Sequence, residues 1–278
     1  MSFFDYRQIN FEVMNDTKRC YEMMSTLQEA IKQSIATQYM VTHEDSIDQP
    51  IVQNSNTRYF VSGMRTFEAA RKYKGKKTAV LNYANNHSIG GSPFFAGAQE
   101  ESLCRCSTLL PCLQAMEQTF YQKHINLYSI GVMDDMGNDD LIYTPDVVVF
   151  KTDERTDPIY PRMMAQEDWY KVNIITCAAP QMNRMFHFPT NYDAIIRSRI
   201  KKILDIATKE GNEVIILGNW GCGAFRNSID VVSREFVSLL QNYEFETVEF
   251  ALATKGDVSQ SAFARQLTAN AKAFSVLI

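Results

Sequence analysis

The sequence predicts an α/β fold in layers, with helices packed around a mostly parallel sheet. Three observations point there. Several short runs are β-branched and almost continuously apolar, as strands covered on both faces are. Between them, apolar residues recur at helical spacing. From residue 77 onward the two patterns alternate along the chain, which is how βα units read.

Taken in order, the first stretch differs in texture from the rest. Met24, Leu27, Ile31 and Ile35 recur at helical spacing, so residues 1–55 are expected to form a helical extension packed on the main domain of 56–278. A polar stretch with turn formers, THEDSIDQPIVQNSNT, closes it. TRYFVSG then reads as a short strand, and MRTFEAARKYKGKK as a short helix ending in a basic loop. That loop is read as solvated, with contact to the phosphates of a long polymer as its alternative. Strands are expected at 78–84, 146–150, 172–178, 213–220 and 247–254. Leu103, Cys106, Leu110 and Leu113 share one helical face. So do Ile196, Ile200, Ile203 and Ala207, then Val232, Phe236 and Leu239, and finally Ala264, Leu267, Ala271 and Phe274.

Composition narrows the function classes. The 278 residues suffice for one large domain with an extension, or for two small ones, at about 150 residues per domain. The net charge of −4 is not that of a Lys/Arg-rich binder of polyphosphate, which argues against broad nucleic-acid affinity. No run approaches the roughly 18 unbroken apolar residues of a membrane span. Asp5, Arg7 and Glu12 fall where a signal peptide needs an apolar core. Six cysteines without a CxxC pair or Cys/His spacing favour reduced thiols over zinc or disulfides. The chain is therefore expected to be cytoplasmic, or nuclear in a eukaryote, and to hold no metal. The four histidines are scattered. Of these, His87 falls in the first loop considered next, and is read as solvent-exposed, with ligand contact as its alternative.

In folds of this class ligands bind beyond the carboxyl ends of the strands. Two loops there stand out. In NYANNHSIGGSPFFAGAQEESLCRC, Gly90, Gly91 and Gly97 precede Gln99, Glu100 and Glu101 in the first turn of a helix. Glycine backbone and a helix N-terminus suit a phosphate. The paired glutamates fit two roles, as functional carboxyls or as first-turn acids favoured by the helix dipole. In LGNWGCGAFRN, the run Gly221-Cys222-Gly223-Ala224-Phe225 follows a strand directly. It lacks the third glycine of GxGxxG, so it is either a backbone anion loop or a tight turn. Phe225 would stack on a bound ring or fill core. Cys222 in such a loop is read chiefly as a small packed residue, with a thiol acidified by nearby N–H groups as the alternative. Two glycine loops facing an acidic pair suggest a diphosphate ligand with a carboxyl acid beside it.

At these residues the sequence resembles the microbial-type poly(ADP-ribose) glycohydrolases. GGSPFFAGAQEES is similar to their signature of three glycines, a short gap and QEE, the gap here being residues 93 through 98. The likeness continues at VLNYAN, SLCRCSTL, YTPDVVVFK, VNIITCAAP and LGNWGCGAFRN, over about 77–256, with little of it in the first 55 residues. It implies a macrodomain-like three-layer α/β/α sandwich with a mixed, mostly parallel sheet. It also implies hydrolysis of the ribose–ribose O-glycosidic bond of poly(ADP-ribose), with ADP-ribose as product and no cofactor. By resemblance, Glu101 is the acid/base, Glu100 orients the distal ribose and Gln99 completes the motif. Asn82 and Asn85 lie at the strand end near that ribose. Gly90 and Gly91 form the loop at the diphosphate and distal ribose, and Gly221 through Phe225 the second diphosphate loop. Adjacent residues on a helix point about 100° apart, which suits one acid/base with a second carboxyl on ribose hydroxyls. The signature departs at Ser92, which stands where the family has a third glycine. If that position needed φ > 0, serine would cost about 1 kcal/mol. The alternatives are a reader that binds ADP-ribose without cutting it, and a hydrolase of single ADP-ribosyl groups on protein or nucleic acid.

Overall fold

The computed structural model describes residues 3–47, 56–153 and 160–273. A seven-stranded sheet forms the centre. Its strands are β1 (Tyr39–Val41), β2 (Arg58–Ser62), β3 (Thr78–Ala84), β4 (Leu141–Val149), β5 (Tyr170–Ala178), β6 (Val214–Leu217) and β7 (Thr247–Ala251). Their spatial order is β1-β4-β5-β3-β6-β7-β2. Strands β5, β3, β6, β7 and β2 run parallel, and β4 is antiparallel to both β1 and β5.

The side-chain period of two divides the core into two layers. Ala79, Leu81, Ile175, Ile215 and Phe250 point to one face, while Val80, Ile174, Val214 and Ile216 point to the other. The first face is covered by helices at Tyr192–Lys209, Ile229–Leu240 and Ala262–Ala273. The second is covered by helices that come earlier in the chain. In chain order the helices are α1 (Phe3–Met23), α2 (Ser25–Thr37), α3 (Thr66–Arg71), α4 (Gln99–Cys106), α5 (Leu109–Ala115), α6 (Gln122–Ser129), α7 (Tyr192–Lys209), α8 (Ile229–Leu240) and α9 (Ala262–Ala273). The architecture is the expected α/β/α sandwich with a mixed, mostly parallel sheet.

The extension is helical through Thr37, and then differs from the reading. Tyr39–Val41 joins the sheet as β1, pairing antiparallel with Leu141–Tyr143. Three residues directly after a helix are too short for a strand period to show. Residues 48–55 of the extension lie outside the described residues, as does Phe274 of the last stripe. Met14, Tyr21 and Leu27 are buried against the second layer, and buried Lys151 holds Asp16 at 2.7 Å, so α1 and α2 are docked on the sheet domain.

Three further readings are corrected. The stripe from Leu103 to Leu113 is two helices rather than one. Ser107 bridges to Val149, and Thr108 exchanges bonds with Val148 through its N–H and its Oγ1 (both 3.0 Å). Pro111 lacks the N–H a continuous helix would need there, and is tolerated only in the first turn of a new one. β4 begins at Leu141, before the expected 146–150, with its register broken between Thr144 and Val147. Pro145 has no ladder donor, and Asp146 sits at φ 56°, its N–H donating to Asn173 Oδ1 at 3.1 Å. The apolar run read as a strand to Trp220 ends at Leu217. Gly218 follows, where a Cβ would meet the Tyr83 hydroxyl and stand 2.7 Å from the Ala251 carbonyl.

β3 and β6 are parallel neighbours. The chain leaves β3 toward α4 on one face and leaves β6 toward α8 on the other. This divergence opens a crevice at the carboxyl ends of the two strands, the place where open α/β sheets take ligands.

Candidate active site

A cleft of about 280 Å³ occupies that crevice. Asn85, Gly91, Gln99, Glu100 and Glu101 line it from the β3 side, and Gly221, Gly223, Ala224 and Phe225 from the β6 side. The two loops singled out in the sequence thus meet across one space.

β3 pairs with β6 only over Thr78–Val80, so its last residues need other partners. Gln99 supplies them. Its Oε1 accepts from Tyr83 N at 2.9 Å, and its Nε2 donates to Leu81 O at 2.8 Å and Thr66 Oγ1 at 3.2 Å. The amide is committed to the strand and fixes the first turn of α4 upon it. No side chain caps that turn at Ala98.

Glu100 and Glu101 leave this turn in different directions. Glu100 is buried; its Oε1 accepts from Asn82 Nδ2 at 3.2 Å and its Oε2 from Asn85 N at 3.0 Å. Burial pushes its carboxyl up to about 8, against the pull of these two bonds, and the charge of Glu101 adds to the rise. Glu101 accepts from Ser92 N at 3.2 Å. Asn82 is fully buried, shares its Nδ2 with Thr176 Oγ1 at 3.3 Å, and keeps its Oδ1 without a partner. Asn85 Oδ1 accepts from His87 N, which shapes the start of the loop.

The glycines differ in what they permit. Gly91 has φ +68°, and a Cβ there would stand 2.9 Å from Glu101 Cδ. Gly90, with φ +65°, packs beneath the cleft on Cys104 and Leu110 instead of lining it. Ser92 is not among the non-glycine residues at positive φ, which are Asp146, Arg226 and Ala253 among those described. The condition under which serine would carry a backbone cost is therefore not met.

On the opposite wall, Gly221 has φ +72°, and a Cβ would stand 2.6 Å from Asn227 Nδ2. Asn227 fastens the loop, donating to Pro180 O at 2.8 Å and Gly221 O at 3.0 Å while accepting from Tyr192 OH at 3.0 Å. Among the described residues, the N–H groups of Gly223, Ala224 and Phe225 donate to no protein acceptor, whereas those of Cys222, Arg226 and Asn227 close turns. Three consecutive free N–H groups at a cleft wall offer the donors an anion needs. Phe225 is half-buried, its ring against the first core layer and its residue lining the cleft.

Cys222 does not line the cleft, and burial raises its thiol to about 12, so the alternative of an acidified thiol does not hold. His87 is half-buried rather than exposed. It lies edge-on to Tyr128 at 5.1 Å, and burial lowers its pKa. Among the described residues, no group of three His, Cys, Asp or Glu could hold a metal ion, and no helix is long and apolar enough to cross a membrane. The sequence reading missed Tyr83, Ala84, Ala98, Ala179, Asn219 and Trp220, which complete the lining, and Asn227 beneath it. Asn227 had one signal, a turn-forming residue four positions after Gly223.

The family model for the catalytic domain of microbial-type PARG, the poly(ADP-ribose) glycohydrolases, matches residues 10–152, just over half of the chain. No curated protein matches. Among solved structures, a single-residue mutant of poly(ADP-ribose) glycohydrolase from Thermomonospora curvata is 25% identical over 94% of this chain and 98% of its own, with a TM-score of 0.78. The same enzyme bound to the inhibitor ADP-HPD is 26% identical over 95% and 99%, at 0.76. A mutant of the enzyme from Deinococcus radiodurans in complex with ADP-ribose is 26% identical over 88% and 98%, at 0.72. The likeness reaches further toward the N-terminus than the motifs alone suggested, since the family match begins at residue 10.

Proposed function

The chain belongs to the microbial-type poly(ADP-ribose) glycohydrolase catalytic-domain family, and on that premise we propose that its cleft takes the terminal ADP-ribose unit of poly(ADP-ribose) and that Glu101 drives hydrolysis of the ribose–ribose O-glycosidic bond. The observation that carries this reading is the convergence in one cleft of a carboxyl pair and three free backbone N–H groups. Relatives in complex with ADP-ribose or ADP-HPD support the ligand class.

In this mechanism the N–H groups of Gly223, Ala224 and Phe225 hold the diphosphate, and Phe225 lies against the nucleotide. Bond cleavage develops positive charge on the ribose and negative charge on the leaving oxygen. Glu101 gives its proton to that oxygen and then takes one from the attacking water. Glu100, held in place by Asn82 and Asn85, meets the ribose hydroxyls. With its carboxyl near 8 it is largely protonated at neutrality, and a protonated carboxyl both donates to and accepts from a hydroxyl. Gln99 acts through α4, by holding the turn that carries both carboxyls. Helix α1 supports the site directly: Asn10 Nδ2 donates to the carbonyls of Phe95 and Ala96 in the catalytic loop, at 3.2 and 3.1 Å. The unpaired cysteines support a reducing, cytoplasmic setting.

Mass-spectrometric detection of ADP-ribose after incubation with poly(ADP-ribose) tests the reading, with mono-ADP-ribosylated protein and DNA in parallel. Release from the polymer is expected. Binding of ADP-ribose without release from any of the three substrates would instead make the chain a reader, and release only from the mono-modified substrates would shift the leaving group.

A further inference from the structure

Outside the cleft, an exposed aromatic patch lies on the outer side of the catalytic loop. Phe95 is 46% exposed and Phe11, from α1, is 43% exposed. Their rings stack at 6.1 Å with planes 22° apart, and the Arg7 guanidinium carbon lies 5.3 Å from the Phe95 centroid. Arg7, Gln8, Phe11 and Phe95 line a hollow of about 300 Å³. Among the described residues Arg7 has no carboxylate partner, while Glu12, one turn on from Gln8, is engaged by the Gln8 amide at 2.7 Å. Two large rings left facing water beside an unpaired guanidinium have the composition of a nucleotide platform, with a face for a base and a charge for its phosphate.

The loop that carries Phe95 is held still and also binds the proposed acid. Phe95 belongs to the segment 92–98, bounded by Gly91 and Ala98 in the cleft lining, and Ser92 N of that segment holds Glu101. Buried Arg105 donates from Nη1 to Pro93 O and Ala96 O, both at 2.7 Å, and Asn10 binds the Phe95 and Ala96 carbonyls. In poly(ADP-ribose) the oxygen that leaves is the 2′-oxygen of the next unit's adenosine ribose. The adenine hangs from the adjacent carbon of that ring, and the 5′-diphosphate from the same sugar. A group departing past Glu101 therefore carries a flat base and two phosphates within one sugar of the scissile bond.

We propose that Phe95, Phe11 and Arg7 form an acceptor subsite that stacks the adenine and pairs with the phosphate of the polymer unit beyond the scissile bond. The proposal rests on the glycohydrolase reading, and it makes the chain prefer polymer over single ADP-ribosyl groups on protein, whose leaving group has no base.

Calorimetry in a Glu101→Gln background tests it, using ADP-ribose and an oligomer of two ADP-ribose units. The oligomer is expected to bind about tenfold more tightly than ADP-ribose, in line with one stacked base. Adding Arg7→Glu with Phe11→Ala is expected to bring the oligomer to the affinity of ADP-ribose, leaving the ADP-ribose affinity and the melting temperature unchanged. An oligomer that binds no better than ADP-ribose in the Glu101→Gln parent overturns the subsite, and so does a double substitution that weakens both ligands equally. Failure of the glycohydrolase reading is distinct, because it is read from the wild-type chain as absence of ADP-ribose release.

Discussion

Asn82 Nδ2 donates to Glu100 Oε1 at 3.2 Å, from the middle of the sheet to the first turn of α4, with both residues buried. The bond seats the helix on the strand and also draws the Glu100 pKa down against burial. In Asn82→Ala a buried carboxyl loses a donor, so its pKa rises further and the limb of the pH–rate profile it governs moves to higher pH. Turnover at pH 7 is expected to fall by about two- to tenfold, the range for a lost hydrogen bond to a neutral, protonated carboxyl. A profile whose limb stays in place would contradict the role given to Asn82.

The raised pKa of Glu100 has a counterpart in stability. The folded chain holds this proton up to about 8, whereas an unfolded glutamate releases it near 4.3. The group therefore contributes its full stability below the unfolded value and loses it as pH rises through the folded one. Glu100→Gln removes that loss. Between pH 5 and pH 8.5 the melting temperature of the wild type is expected to fall more steeply than that of the variant, as followed by circular dichroism. Equal slopes would mean that Glu100 does not hold its proton in the fold.

Gly91 and Gly97 sit in one loop but differ in what they tolerate. A methyl at Gly91 meets a positive φ and the Glu101 carboxyl, whereas a methyl at Gly97 meets open space. Gly91→Ala is expected to cost about 1 kcal/mol or more in stability and to lower kcat by about a hundredfold through displacement of Glu101. Gly97→Ala is expected to keep both near wild type. Steady-state kinetics on the pair, with melting curves, checks this; similar losses in the two would rule out the contact as the cause.

Ser92 replaces the third glycine of the signature at a position where φ is not positive. Ser92→Gly therefore relieves no strain. Its kcat/KM is expected to stay within about twofold of wild type, with stability lower by roughly 0.5–1 kcal/mol from the freer unfolded chain. A large gain in rate would show that the serine side chain obstructs the reaction.

The sheet was legible where burial on both faces writes a continuous apolar run, as at Leu81, Ile174, Ile216 and Phe250. It was not legible at β1, where three residues carry no period, nor at the break after Cys106, because the apolar spacing continues through Ser107 while a bridge to Val149 interrupts the helix. The two loops were legible from their glycines and glutamates. What holds them was not. Asn227, Arg105 and Asn10 act by binding carbonyls, and a carbonyl's position leaves no trace in a neighbour's residue type. Gln99 was read by resemblance as completing the motif, and its amide also holds the end of β3, a role its residue type does not announce.

The most direct measurement of the central claim pairs turnover with ligand binding in Glu101→Gln. Release of ADP-ribose from poly(ADP-ribose) is expected to fall by about 10²–10⁴-fold, the usual contribution of a general acid/base. The calorimetric Kd for ADP-ribose is expected to stay near that of the wild type, because the diphosphate cradle and the Asn82–Glu100 pair are untouched. Turnover close to wild type in that variant would contradict Glu101 as the group that moves the proton.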